Sequence, residues 1–223
     1  MRTCGKAAAI VVLTGCAALA GCATSRSEVK LATPTASAQT AAMPANGKTI
    51  YIRSVTDQRV FEDDPSNPSI PSLGFGGPEK ATADVKARAI GRKRNSFGHA
   101  EGDVLLKDGQ TVTGVIQTDL TAALEQAGYK VVTNAENATT AAIVMDVGIK
   151  QFWAWFRPGF WEITLTANIS TDLSVQGEAN PIVVTVQAKQ EHMAATDSDW
   201  IGVISDALKK YQEQMLQVSN KIP

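Results

Sequence analysis

The sequence predicts a single α+β domain: a mainly antiparallel sheet with two helices on one face, preceded by a signal peptide and a flexible tether. Three observations predict it. Two segments, near 111–127 and 197–218, repeat apolar residues at the helical period, and several others are β-branched runs bounded by turn residues. The order is strand, long loop, helix, four strands and helix, which places the helices together on one face. The 223 residues, 44% hydrophobic and 19% charged with a formal charge of -1, suffice for one well-buried core. That composition excludes collagen-like repeats, a disulfide-dense miniprotein, a highly charged disordered chain and a basic nucleic-acid binder.

Residues 1–21 read as a lipoprotein signal peptide. Arg2 and Lys6 form a basic start, and Ala7 to Ala20 is an almost wholly apolar stretch. It is too short to span a bilayer, which needs ~20 apolar residues, but it suits a signal core. It ends in Leu19-Ala20-Gly21-Cys22. This resembles the bacterial lipobox, which implies acylation of Cys22 and cleavage before it. Several acyl chains on one residue meet the multiple-signal requirement for stable anchoring. Ala23 follows where Asp would be the retention signal of the inner membrane, so the resemblance implies the outer membrane, facing the periplasm. Cys4 and Cys16 depart with the signal, leaving no free thiol and no disulfide in the mature domain.

Residues 22–47, the lipidated cysteine and a run of Ala, Thr, Ser, Gln and Pro, are expected to be a tether holding the domain off the lipid surface. The periplasmic domain is then 48–223. Thr49 to Val55 alternates as a strand, with Asp57-Gln58-Arg59 at its end, where Asp57 and Arg59 suit a structural ion pair. Residues 61–109 hold several prolines and Gly74-Phe75-Gly76-Gly77 and read as one long loop. Thr111 to Ala127 is a helix with Thr111 or Asp108 at its start and Gly128 at its end. Tyr129 to Val132, Ala141 to Phe156, Trp161 to Val175 and Pro181 to Met193 read as strands. Asp197 or Ser198 caps the closing helix, with Ile201, Ile204, Leu208, Tyr211, Met215 and Val218 on one stripe.

Two features point toward binding. Between Glu79 and His99 stand Lys80, Lys86, Arg88, Arg92, Lys93 and Arg94 against only Glu79 and Asp84. With Gly91 and Gly98 nearby, Arg88, Arg92, Lys93 and Arg94 suit an acidic group, either a ligand or a partner; the competing reading is a solvated loop paired to acidic side chains of the same domain. Second, six of the chain's aromatic residues crowd into Phe152 to Trp161. Strand alternation puts Phe152 and Phe156 on one face, with Trp153 and Trp155 on the other. Those tryptophans are expected to form a docking face for a partner or a second copy, or else to be core under the long loop.

Catalytic motifs are absent. No Gly-x-Ser-x-Gly elbow or phosphate-binding loop occurs, and His99 and His192 lack ligand-like spacing. No metal or other cofactor is expected. With the signal, Asp57-Gln58-Arg59, the Ile90-Gly91 basic segment and Gly128-Tyr129-Lys130-Val131 in view, the chain resembles the YajG-like family of bacterial outer-membrane lipoproteins. The resemblance implies the same location and no assigned catalytic site.

Together these readings predict a non-enzymatic, lipid-anchored adaptor or binding protein. Its partners are the membrane, through the anchor, and a protein or cell-envelope component; nucleic acid is not expected, and self-association is compatible. The alternatives are a binder of an anionic envelope ligand or lipid through the basic loop 88–94, and an envelope hydrolase without a recognised motif.

Overall fold

A computed structural model describes residues 25–32, 44–95, 97–159 and 161–223. The signal peptide, Cys22 and most of the expected tether lie outside these residues. The elements are β1 (Ser27–Val29), β2 (Thr49–Asp57), α1 (Gly77–Lys80), α2 (Ala83–Arg88), β3 (Ala89–Arg94), β4 (Ala100–Leu106), α3 (Val112–Gln126), β5 (Lys130–Val132), β6 (Ile143–Pro158), β7 (Ile163–Val175), β8 (Ile182–His192) and α4 (Asp197–Val218). They form one α+β domain around an eight-stranded mixed sheet.

The 16-residue β6 is the spine. One edge carries antiparallel β7 along nearly its whole length, and β8 continues that wing. The opposite edge is shared: β2 runs parallel to Ile143–Ile149, and β3 joins beyond it at Ala154. β5 extends the β2 wing, while β4 and then β1 extend the β3 wing. Antiparallel pairing dominates by length, as expected, because the β6–β7–β8 ladders are the longest.

Helices α3 and α4 pack on one face. Their apolar stripes, including Ile116, Leu120 and Leu124 with Trp200, Ile204 and Tyr211, bury against Ile52, Ile90, Val147, Phe152 and Phe156. Thr111 Oγ1 accepts from the Gly114 amide at 3.1 Å, and Gly128 (φ 89°) reverses the chain after α3. α4 starts one residue before expectation: Thr196 is its cap, and its amide donates to Asp199 Oδ2 at 2.8 Å.

Two expected boundaries are corrected. The chain is already in the sheet at Ser27, with β1 parallel to β4 and both Val29 and Leu31 buried. The domain therefore begins before Lys48, and the tether does not extend to residue 47. The segment 61–109 is not one loop: it supplies α1, α2, β3 and β4. These strands hide in the sequence because charge interrupts them. Arg92-Lys93-Arg94 stands in β3, and Asp103, fully buried in β4, is tolerated only because Arg26 Nε and the Gly74 amide donate to it at 2.9 and 2.7 Å.

The same segment settles the tryptophans. Alternation along β6 is as expected, but residues 61–88 cover the second face. Trp153 and Trp155 are 1% and 6% exposed, packed with Leu73, Val85, Ala89 and Leu105. Trp153 Nε1 donates to Pro68 O at 3.1 Å, and Phe61 stands edge-on to its ring. The expected docking face is a second small core.

Candidate functional site

The basic segment is a strand braced by its own fold. Arg88 is buried; its guanidinium donates to Asp84 Oδ2, Glu28 Oε1 and Leu106 O, each at 2.9 Å. Its hydrogen bonds to Asp84 and then to Glu28 hold it charged well above the ordinary arginine range. Arg92 donates to Glu101 O and Ser72 Oγ, both at 3.3 Å. Lys93 Nζ reaches Ser25 O at 3.2 Å. Arg94 donates to Gly98 O at 2.8 Å; burial and the neighbouring Arg92 lower its pKa. Arg88 is therefore an internal tie between α2, β1 and β4, not an anion ligand. Arg92 points its donors into the 61–109 segment. Of the expected set, Lys93 and Arg94 border a cavity among the described residues.

That cavity is a groove of about 1010 Å³ at one end of the sheet. Strand directions explain the convergence. β3 and β6 run parallel and finish there, β7 starts there, and β8 finishes there before α4 begins. β1 enters at this end too, because it is parallel to β4 and β4 is antiparallel to β3. The buried rings of Phe156 and Trp200 line the groove from inside. Trp161, 80% exposed on the β6–β7 turn, and Met193, 83% exposed after β8, stand at the rim. The turn is closed by the Gly159 amide donating to Glu162 O at 2.8 Å, an approach a Cβ at Gly159 would obstruct. A second cavity of about 560 Å³ adjoins it, sharing Arg94, Phe156 and Pro158 and adding Arg157 and the 86% exposed Phe97. Phe160 lies outside the described residues.

Sequence reasoning missed this site because its parts come from four separate connections. Trp161 was visible in the aromatic run, but as the start of a strand; Met193 was visible as the end of another. Only the sheet order joins them.

His192 has structural partners on both ring nitrogens. His192 Nδ1 lies 3.1 Å from Asp199 Oδ1, and its Nε2 lies 3.1 Å from Gln190 Oε1. Partial burial opposes ionisation of Asp199, yet hydrogen bonds from Thr196 and the nearby His192 hold its pKa below the usual value. The hydroxyls of Thr196 and Ser198 hydrogen-bond to each other, and Thr196 Oγ1 also meets Asp199 at 2.6 Å, so neither is set against the imidazole as a nucleophile. The Asp57–Arg59 pair is present at 2.7 Å. Among the described residues, no group of three His, Cys, Asp or Glu side chains gathers where it would hold a metal ion. No helix among them is long and apolar enough to cross a membrane.

A small cavity of about 240 Å³ lies beside α3, bordered by Thr111, Gly114, Thr118 and Asp119. Asp119 is 2% exposed. Gln212 Nε2 donates to its Oδ1 at 2.7 Å, while Oδ2 has no partner. Burial outweighs that hydrogen bond and raises its pKa to about 6.

No family model matches the chain, and no curated protein matches it. Solved structures share parts of its shape. One is an uncharacterised protein at 9% identity and TM-score 0.41, covering 90% of this chain and 99% of that one. Another, from Xanthomonas campestris and of a family of unknown function, has 10% identity and TM-score 0.40 over 86% of this chain and 90% of its own. A third, from Caulobacter crescentus and named provisionally as a lipoprotein, has 12% identity and TM-score 0.29 over 50% of this chain and 85% of its own.

Proposed function

We propose that the protein is a lipid-anchored, non-enzymatic binding protein of the bacterial envelope, and that the groove between Trp161 and Met193 is where it binds. The anchor rests on Leu19-Ala20-Gly21-Cys22, and the outer-membrane address on Ala23 and the resemblance to YajG-like lipoproteins. One observation carries the binding reading: the largest of the cavities described joins apolar walls from Phe156 and Trp200 to exposed apolar residues at its mouth. The arrangement of His192 favours binding over hydrolysis, because both ring nitrogens already have partners and no hydroxyl faces them. An anion site on Arg88–Arg94 is disfavoured by the internal contacts of Arg88 and Arg92.

Mass spectrometry of the mature N-terminus is expected to find acylated Cys22, and Cys22→Ala to release the protein from the membrane fraction. A photo-crosslinking side chain at Ala195, on the groove wall, is expected to give an envelope adduct in living cells. An acylated protein with no adduct at that position would overturn the groove as the binding site.

A further inference from the structure

We propose that the groove end of the domain sits directly on the phospholipid surface, with Phe97, Trp161 and Met193 entering the bilayer interface. This rests on Cys22 being the anchor and adds what the exposed rim touches. Three peptide steps link Cys22 to Ser25, a reach of at most ~11 Å whatever their conformation. Ser25 borders the groove, and its carbonyl is bound by Lys93 at 3.2 Å. β1 then locks the following residues into the sheet. An acylated Cys22 lies at the lipid headgroups, so the end of the sheet carrying Ser25 is drawn to the same depth.

That end has the chemistry of an interface-seeking surface. Phe97, Trp161 and Met193 are 86%, 80% and 83% exposed, and they come from three different connections. An indole at the headgroup level is the side chain most often found there. Lys93, Arg94 and Arg157 border the two cavities among them. Of the acidic side chains on the same rim, Glu28 is tied to Arg88, which leaves Glu162 and Asp197, the latter in the first turn of α4. Apolar insertion therefore dominates, with the cations adding a preference for anionic lipid.

The test uses the mature acylated protein in vesicles of phosphatidylethanolamine and phosphatidylglycerol. Trp153, Trp155 and Trp200 are buried, so quenching by aqueous acrylamide reports mainly on Trp161, and Trp161→Phe removes that signal. Relative to a mature Cys22→Ser chain free in buffer, acrylamide quenching is expected to fall several-fold. Brominated acyl chains are expected to quench instead. Equal acrylamide quenching in both states overturns the proposal. So does protection without bromolipid quenching, which would place a second copy or another protein on the rim. If mass spectrometry finds Cys22 unacylated, the anchor reading fails separately. Coupling the mature chain through the Cys22 thiol to a maleimide lipid in the same vesicles then decides: bromolipid quenching of Trp161 that Met193→Ser weakens supports the face, and no bromolipid quenching overturns it.

Discussion

The guanidinium of Arg59 fills the notch between two strands that share one edge of β6. β2 ends at Asp57, with the Gln58 amide still donating to Ile149 O at 2.9 Å, and β3 does not meet β6 until Ala154. Across that gap Arg59 donates to Phe152 O at 3.0 Å, Ala89 O at 2.5 Å and Lys86 O at 2.8 Å, while Asp57 holds its other edge. Carbonyls that lack a strand partner are satisfied by a side chain. Arg59→Met is therefore expected to cost about 3–5 kcal/mol in urea unfolding, the scale of breaking a buried ion pair. Arg59→Lys should rescue only part, because a point charge cannot serve that planar fork; a neutral Arg59→Met would refute the role. Asp119 gives a prediction of opposite sign. Its folded pKa, about 6 against an ordinary 3.8, is raised, so the folded state binds the proton more tightly than the unfolded one. Stability associated with this group is present below pH 3.8 and is lost as pH climbs toward 6. Two pK units correspond to roughly 3 kcal/mol at most. Asp119→Asn is expected to raise the urea midpoint at pH 8 and to remove that part of the slope. A parallel pH profile in the two proteins would exclude it.

At the scale of elements, what the sequence made legible is what repeats. β6, β7, β8, α3 and α4 follow within a few residues from their periods, because each carries enough apolar positions for a face to declare itself. β3 and β4 do not. In β3 the pattern is broken by three successive cations and by Gly91, whose missing side chain is a packing requirement. A Cβ there would lie 2.9 Å from both Ala154 O and the Trp200 ring. Gly91 thus lets α4 lie flat against the junction of β3 and β6. Gly91→Val is expected to overpack this seam, costing about 1–3 kcal/mol and perturbing the Trp200 signal in near-ultraviolet circular dichroism. An unchanged spectrum and midpoint would show that the helix has room to move. The aromatic run divides in the same way. Alternation correctly separated Trp153 and Trp155 from Phe152 and Phe156, but the cover over the tryptophans comes from 61–88, which has no period to read. Trp153→Ala should therefore lose about 3–5 kcal/mol, whereas Trp161→Ala should leave the melting midpoint nearly unchanged. Similar losses for both would contradict the division between core and rim.

For the whole molecule, the least legible fact is where the domain begins. Composition from 23 to 47 is that of a linker, and Val29 and Leu31 alone cannot offset the ordering of their neighbours. They are ordered because the rest of the molecule has places for them: both side chains are buried, and β1 closes the outer edge of β4. The groove was illegible for a related reason, since it exists only where the ends of β3, β6, β7 and β8 meet the incoming chain. Charge pairing ties β1 in further. Arg26 bonds the fully buried Asp103 at 2.9 Å, and Glu28 shares Arg88 with Asp84. A chain starting at Lys48 therefore loses two buried apolar side chains, ~1.5–3 kcal/mol each. It also leaves Asp103 buried without its cation, a defect of several kcal/mol more. That total rivals the ~5–15 kcal/mol of a typical domain. The shortened chain is expected to unfold at much lower urea than a chain starting at Ala23. Its newly opened β4 edge should drive concentration-dependent association in analytical ultracentrifugation. Coincident urea curves and two clean monomers would return β1 to the status of a linker. They would also loosen the ~11 Å leash that holds the groove at the membrane.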